Sequence, residues 1–315
     1  MRNFKASTLA YVRLQVPDLD KETEFLTNFG LIATTREGGK QYLRPTDPVP
    51  YCYVVEQGPQ RFLGCAFNAN SRDELLALSK EHGVPVVRID APGGGERVRL
   101  KEPNGYDVDV VFGIEPSAPI EIKRQKLNTG AEPLARKNEL YRLQSGKPTP
   151  VKRLAHVVFG SPRVNDTVGW FVEKLGMIVS DNLRGGPNKD VYVGSFIRLD
   201  EGEKATDHHT VFVLNFHTAG LQHISFEVPD MDAVLHDHHY LAELGAYEHL
   251  WGVGRHFLGS QVFDYWADPY GYAHEHWADS DRLTADIPTK EWTPQEAMIS
   301  QWGSHPPEAF KKAVP

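Results

Sequence analysis

The sequence is poor in cysteine and has no long apolar run, and each shortage excludes a class of protein. Only two cysteines, Cys52 and Cys65, occur in 315 residues, too few for a disulfide framework, so both are interpreted as small buried hydrophobic residues. No apolar run approaches the roughly 20 residues that span a bilayer. The N-terminus lacks the apolar core and cleavage site of a secretory signal. We therefore expect a cytoplasmic protein with no membrane partner.

Basic residues are also too few for a nucleic-acid-binding surface. The chain has 34 Lys and Arg against 42 Asp and Glu, which gives a net charge of −8. Phosphate binding needs a basic face, so no nucleic-acid partner is expected. With 40% hydrophobic and 24% charged residues, the composition is that of an ordinary globular protein. The length predicts about two domains.

Internal similarity is the strongest feature of the chain. Three segments of the first half match three of the second, each with the same order of strand, turn and helix or strand. The matched pairs are 9–34 with 154–180, 61–84 with 220–246, and 100–113 with 265–279. A βαβββ unit repeated four times explains this pattern, and the predicted fold class is therefore α+β.

The repeat also predicts domain boundaries. The predicted divisions are an N-terminal metal-free domain over residues 1–135, a C-terminal catalytic domain over 136–285, and a C-terminal extension over 286–315. The polar, proline-containing stretch 115–150 is interpreted as a linker with some helix. The extension matches neither half and is expected to wrap the C-terminal half, with Trp292 and Trp302 as anchors.

Candidate metal ligands appear when the halves are compared position by position. The C-terminal residues and their N-terminal equivalents are His156 with Tyr11, His223 with Gly64, and Glu275 with Asp109. Two histidines and a carboxylate form the facial triad of non-haem iron(II) oxygenases, which leaves open positions for substrate and O₂. A single strand histidine is more often a hydrogen-bonded core residue. Three repeat-related positions make coincidence a poor explanation, so the sequence predicts one metal per chain.

The segment 254–275 resembles the signature of the type I extradiol dioxygenases of the vicinal oxygen chelate superfamily. The matching residues are His256, Tyr265, Asp268, Pro269, Gly271 and Glu275. The resemblance extends over 8–113 and 152–279 and leaves the linker and the extension uncovered. It implies the two-domain vicinal oxygen chelate fold, with the metal site in the C-terminal domain. Within the superfamily, the chain looks closest to the trihydroxytoluene and substituted-hydroquinone branch.

The resemblance also implies roles for individual residues. His156, His223 and Glu275 would hold iron(II), and manganese(II) accepts the same ligands. A histidine near bound O₂ is expected in the DHHT segment, where the order of residues favours His209 over His208. His256 and Tyr265 would lie beside the substrate oxygens.

The activity implied is meta cleavage of an aromatic diol or triol, with both atoms of O₂ inserted, by a homo-oligomer in aromatic degradation. Two alternatives stay open. A glyoxalase-like isomerase or thiol transferase would favour a fourth protein ligand, and none occurs at the repeat-equivalent N-terminal positions. A protein that sequesters an aromatic drug would not need three aligned ligands.

Overall fold

The structure is a computed structural model that describes residues 4–122, 126–140, 142, 145–185, 191–310, 312 and 314–315. It is a mixed α+β fold, and the four predicted βαβββ modules are all present. Among the described residues, none of the helices has the length and apolar character needed to cross a membrane. Both cysteines are free thiols in the interior, as expected.

The N-terminal half contains two modules. The first consists of β1 (Leu9–Val16), α1 (Leu19–Asn28), β2 (Ile32–Glu37), β3 (Lys40–Arg44) and β4 (Tyr53–Gln57). The second consists of β5 (Arg61–Asn68), α2 (Arg72–His82), β6 (Val87–Arg88), β7 (Glu96–Lys101) and β8 (Asp107–Phe112). Strands β1 and β5 pair antiparallel and join both modules into one 8-stranded sheet.

The C-terminal half repeats this arrangement. Its first module contains β9 (Arg153–Ser161), α3 (Val164–Leu175), β10 (Ile178–Gly185), β11 (Val191–Arg198), a short β12 (Thr206–Asp207) and β13 (Val211–Asn215). Its second module contains β14 (Gly220–Glu227), α4 (Met231–Leu244), β15 (Glu248–His256), β16 (Val262–Ala267) and β17 (Ala273–Ala278). Strands β9 and β14 pair antiparallel, as β1 and β5 do.

The C-terminal extension packs against the C-terminal half. A short β18 (Arg282–Leu283) precedes it, and the extension itself comprises β19 (Lys290–Trp292), α5 (Pro294–Ala297), β20 (Ser300–Trp302) and a 3-10 helix (Glu308–Phe310). Strand β19 pairs with β10, and β20 pairs with β15. The Trp292 indole donates to Asp181 at 2.7 Å and anchors the extension, whereas Trp302 remains 44% exposed.

The linker differs from expectation, because its described residues between β8 and β9 form neither helix nor strand. Prolines at 116, 119, 133, 148 and 150 each remove a backbone donor and disfavour helix at the residue before them. The helices that do form have local signals. Asp18 caps α1 by accepting from two backbone N–H groups, and Gly176 ends α3 in the left-handed conformation that glycine adopts readily.

Two carboxyl groups meet where α1 of the N-terminal half packs against the β16–β17 turn. Glu22 and Asp268 are buried there, close to the buried Tyr53 and His274. Burial raises the pKa of Asp268 to about 7, and burial together with the Asp268 charge raises the pKa of Glu22 well above its usual range. Burial raises the pKa of Tyr53 and lowers that of His274 to about 3. Both side chains are therefore neutral at physiological pH, and His274 does not supply a positive charge to the carboxyl groups. Their raised pKa values therefore favour the protonated form of at least one of the two carboxyl groups near neutral pH.

A carboxyl whose folded-state pKa is raised stabilises the protein below its unfolded pKa, and the stabilisation is lost as pH rises toward the folded value. Glu22→Gln removes one carboxyl and donates a hydrogen bond to the other. The wild type loses this stabilisation as pH rises, and the variant does not. The unfolding free energy of Glu22→Gln minus that of the wild type should therefore increase by about 1–3 kcal/mol between pH 5 and pH 8. Urea unfolding across this range measures the difference. Glu24→Gln, at an exposed position of α1, is the control, and a pH-independent difference for Glu22→Gln would contradict the prediction.

Candidate metal centre

Strand register supports the equivalent positions inferred from the repeat. In the C-terminal half, Ser225 of β14 lies opposite both His156 and Glu275. In the N-terminal half, Ala66 of β5 lies opposite both Tyr11 and Asp109. Strands β9, β14 and β17 are neighbours in the sheet, so residues far apart in sequence converge on one point.

The three predicted ligands lie together with their donor atoms converging. His156 Nε2 is 3.0 Å from Glu275 Oε2 and 3.2 Å from His223 Nε2. His223 Nε2 is 3.6 Å from the same Glu275 oxygen. All three side chains are buried, and Glu275 Oε1 has no hydrogen-bond partner among the described residues. The spacing is close enough for one cation to bind all three donors.

The tautomer of His223 is set by its neighbour. Gln222 donates from its amide nitrogen to the Phe310 carbonyl at 3.0 Å, and its amide oxygen bonds to His223 Nδ1. An amide oxygen only accepts, so Nδ1 carries the proton and Nε2 presents a lone pair. Holding an imidazole through its other nitrogen is how proteins orient metal ligands.

The protonation states also suit a divalent cation. Burial lowers the pKa of His223 to about 3, so this ligand is neutral at physiological pH. Burial alone would raise the pKa of Glu275, but the neighbouring imidazoles of His156 and His256 hold it well below its usual range. Neutral imidazole and ionised carboxylate are the forms that bind metal ions. The residues present therefore fit the predicted metal.

The two adjacent histidines, His208 and His209, face different surroundings. His209 lines the cavity beside the ligands, with its ring 4.2 Å from that of His156. His208 points away, with Nε2 2.5 Å from Asp181. The Nδ1 atoms of His208 and His209 are 3.1 Å apart. His208 therefore holds the Nδ1 side of the His209 ring, and His209 Nε2 is left for the cavity. Both residues precede β13 and do not lie within a strand.

His256 and Tyr265 lie on the other side of the ligands. His256 Nε2 is 2.9 Å from the Tyr265 hydroxyl and 3.4 Å from Glu275 Oε1. Burial and the Glu275 charge raise the pKa of Tyr265 well above its usual range, so its hydroxyl stays protonated and available as a donor. The structure thus brings all six predicted site residues around one cavity.

Two contributors were not predicted from the sequence. Gln222 reaches His223 because the register between β14 and β9 shifts at this point. Such a bulge lets adjacent residues serve the same site, and alternation alone does not reveal it. Ser225 donates to Glu275 Oε2, and its position two residues after His223, on the same strand face, was a usable signal.

The N-terminal half replaces the predicted ligands with an internal ion pair. Asp109 accepts from the Tyr11 hydroxyl at 2.8 Å and from Arg99 at 2.7 and 2.9 Å. At Gly64, a Cβ atom would lie 1.9 Å from the Asp107 carbonyl oxygen, so no histidine fits there. A guanidinium thus neutralises the one carboxylate that remains.

From this ion pair we predict one metal per chain, held by the C-terminal half. Asp109→Ala should leave metal content unchanged, yet lower the unfolding free energy by about 1–3 kcal/mol, because it leaves the buried Tyr11 hydroxyl without its acceptor and leaves Arg99 with Asp107 alone. Elemental analysis and chemical unfolding measure the two effects. Two metals per wild-type chain, falling to one in Asp109→Ala, would show that the N-terminal half also binds metal.

Two other groups in the described residues have a ligand-like composition. His238 and His249 surround Asp264, but Asp264 already accepts hydrogen bonds from both and from the Trp266 indole. The other group is Glu22, Asp268 and His274, the buried carboxyl pair described above, whose pKa values are raised. Neither matches the converging lone pairs of the C-terminal centre.

The chain is similar in sequence to proteins named metapyrocatechase. No protein-family profile matches it. Metapyrocatechase 2 of Cupriavidus necator is 28% identical over 311 residues, covering 96% of this chain and 91% of that protein.

Solved structures share the fold. Homoprotocatechuate 2,3-dioxygenase of Brevibacterium fuscum, solved with 3,4-dihydroxyphenylacetate, has a TM-score of 0.76 at 20% identity, covering 98% of this chain and 92% of that one. The Mn(II)-bound glyoxalase of Novosphingobium aromaticivorans has a TM-score of 0.77 at 22% identity, covering 98% and 95%. This likeness confirms the predicted fold.

Proposed function

We propose that this chain, a type I extradiol ring-cleavage dioxygenase of the vicinal oxygen chelate superfamily, cleaves a catecholic or trihydroxylated ring with iron(II) held by His156, His223 and Glu275. The observation that carries this proposal is the convergence of two imidazoles and one carboxylate in a buried cavity. Three protein ligands leave positions for a bidentate substrate and O₂. Manganese(II) is the second candidate metal, because it accepts the same ligands.

Each surrounding residue has a distinct task. When bound, the metal ion supplies a Lewis acid that favours deprotonation of a catechol hydroxyl and brings substrate and O₂ into contact. Tyr265 and His256 hydrogen-bond the substrate oxygens and hold the ring in place. His209, on the opposite side, hydrogen-bonds the oxygen being transferred and donates a proton from Nε2 as the ring opens. The aromatic wall, which includes Phe196 and Trp251, excludes water.

The predicted cytoplasmic location and homo-oligomeric state stay predictions. The glyoxalase-like alternative has less support, because the metal cluster contains three protein ligands and the N-terminal half adds none among the described residues.

A reconstitution experiment tests the proposal. Protein stripped of metal is loaded with iron(II) or manganese(II), and oxygen uptake is recorded with catechol, methylcatechols and 1,2,4-trihydroxybenzene. We expect oxygen uptake and a coloured ring-opened product, with iron(II) giving the higher rate. Isomerisation of a glutathione hemithioacetal without oxygen uptake on any diol would favour the glyoxalase alternative instead.

A further inference from the structure

The cavity beside the metal ligands has a largely apolar wall. Away from the ligands, its wall is formed by apolar residues, chiefly Phe196, Phe212, Trp251, Leu258, Met298 and Phe310. Among the described residues, no lysine or arginine lines it. A carboxylate on the substrate would therefore lose its water without gaining a counter-ion, which is a costly exchange. Its small volume, about 70 Å³, fits one ring better than two.

One polar side chain in this wall has no partner. Gln261 is buried with 1% exposure and lines the cavity. Neither its amide nitrogen nor its amide oxygen makes a hydrogen bond to any described residue. Gln222, the other glutamine of the wall, differs because its nitrogen and oxygen are both bonded. A buried polar group without a partner is uncommon and calls for an explanation.

The position of Gln261 is fixed by the backbone. It lies in the turn between β15 and β16, and its carbonyl accepts from the His256 N–H at 2.9 Å. The Gln261 side chain lines the same cavity as the three candidate ligands, so its amide is available to a substituent of a ring that enters this cavity. An amide offers one donor and one acceptor group, and a hydroxyl can use both.

We propose that the cavity selects an uncharged single-ring diol bearing a neutral hydrogen-bonding substituent, such as a third hydroxyl, and that Gln261 recognises this substituent. The inference rests on the proposed function for the placement of the diol at the metal. Gln261 is a specificity residue, since it meets the substituent and not the reacting oxygens.

Three substrates separate the parts of this proposal: 1,2,4-trihydroxybenzene, 4-methylcatechol and 3,4-dihydroxybenzoate. We expect the wild type to prefer the triol over 4-methylcatechol by about tenfold to hundredfold in kcat/KM, the range that one buried hydrogen bond contributes. The carboxylated diol should be at least about a hundredfold poorer than 4-methylcatechol, because its charge is unpaired.

Gln261→Met replaces the amide with an apolar chain of similar length. It should lower kcat/KM for the triol and remove most of the preference, with a much smaller change for 4-methylcatechol. Gln60→Met, at an exposed position of the N-terminal half, is the matched control and should leave the preference intact. Equal losses on both substrates, or a wild-type preference for 3,4-dihydroxybenzoate, would overturn the proposal.

Anaerobic calorimetry provides a second readout that does not depend on turnover. The affinity of metal-loaded protein for the triol should fall in Gln261→Met by a similar factor, while that for 4-methylcatechol changes little. If no diol is turned over but this selective loss of affinity is seen, the proposed function fails and the role of Gln261 stands. If diols are turned over but triol affinity does not change, the role of Gln261 is wrong and the proposed function stands.

Discussion

His223→Ala is expected to yield a folded protein that has lost its metal and nearly all activity. The change removes one of three donor atoms and leaves His156 and Glu275, which are too few to hold a divalent transition metal tightly. Because metal-dependent chemistry supplies most of the rate enhancement, typically at least about 10⁶-fold for enzymes, kcat should fall by more than about a thousandfold. Elemental analysis and oxygen uptake measure both effects on the same sample.

His217→Ala is the matched control for the ligand variant, because His217 is exposed and lies outside the cavity. It should keep metal and turnover. Thermal unfolding of metal-free wild type and metal-free His223→Ala separates loss of metal from loss of fold. Full metal occupancy in His223→Ala would show that the ligand assignment is wrong.

His209→Asn should separate binding from chemistry. His209 lines the cavity without providing a converging donor atom, so metal content and anaerobic catechol affinity should stay near wild type. A general acid contributes roughly 10²–10⁴-fold in rate, and the loss of kcat should fall in that range. Stopped-flow mixing of the anaerobic substrate complex with oxygenated buffer measures the step affected.

The variant His208→Asn is the comparison for His209→Asn. His208 bonds to Asp181 and touches the cavity only through His209. His208→Asn should therefore reduce kcat about 10–100-fold, the range for a residue that orients another one. If His208→Asn impairs kcat more than His209→Asn, the roles assigned to the two histidines are reversed.

The repeat predicted most of the fold and singled out the three candidate ligands, because both depend on patterns that lie within the chain. A βαβββ unit has a recognisable order of strand, turn and helix. Two copies aligned together reveal where His156, His223 and Glu275 break the similarity. Register in the two sheets then matches the alignment residue for residue, since equivalent strands pair with equivalent partners.

Other parts of the site depend on tertiary contacts that the sequence does not display. Gln222 bonds to His223 because of a bulge between β14 and β9. Gln261 lines the cavity from the turn of the β15–β16 hairpin, whose path depends on the pairing of those two strands. Phe310 of the extension reaches the cavity although its segment has no counterpart in the repeat. The linker was expected to contain some helix, and its described residues form none. Its polar composition does not distinguish helix from irregular structure, and its prolines disfavour helix.

The most direct test of ring cleavage by this metal centre is turnover of a catechol in ¹⁸O₂, with the product quenched quickly because an aldehyde oxygen exchanges with water. Extradiol cleavage inserts both atoms of one O₂ and gives a semialdehyde opened beside the hydroxyl pair. We predict a product that carries two ¹⁸O atoms and an aldehyde, absent in His223→Ala. A dicarboxylate opened between the hydroxyls, or a quinone without ¹⁸O, would contradict it.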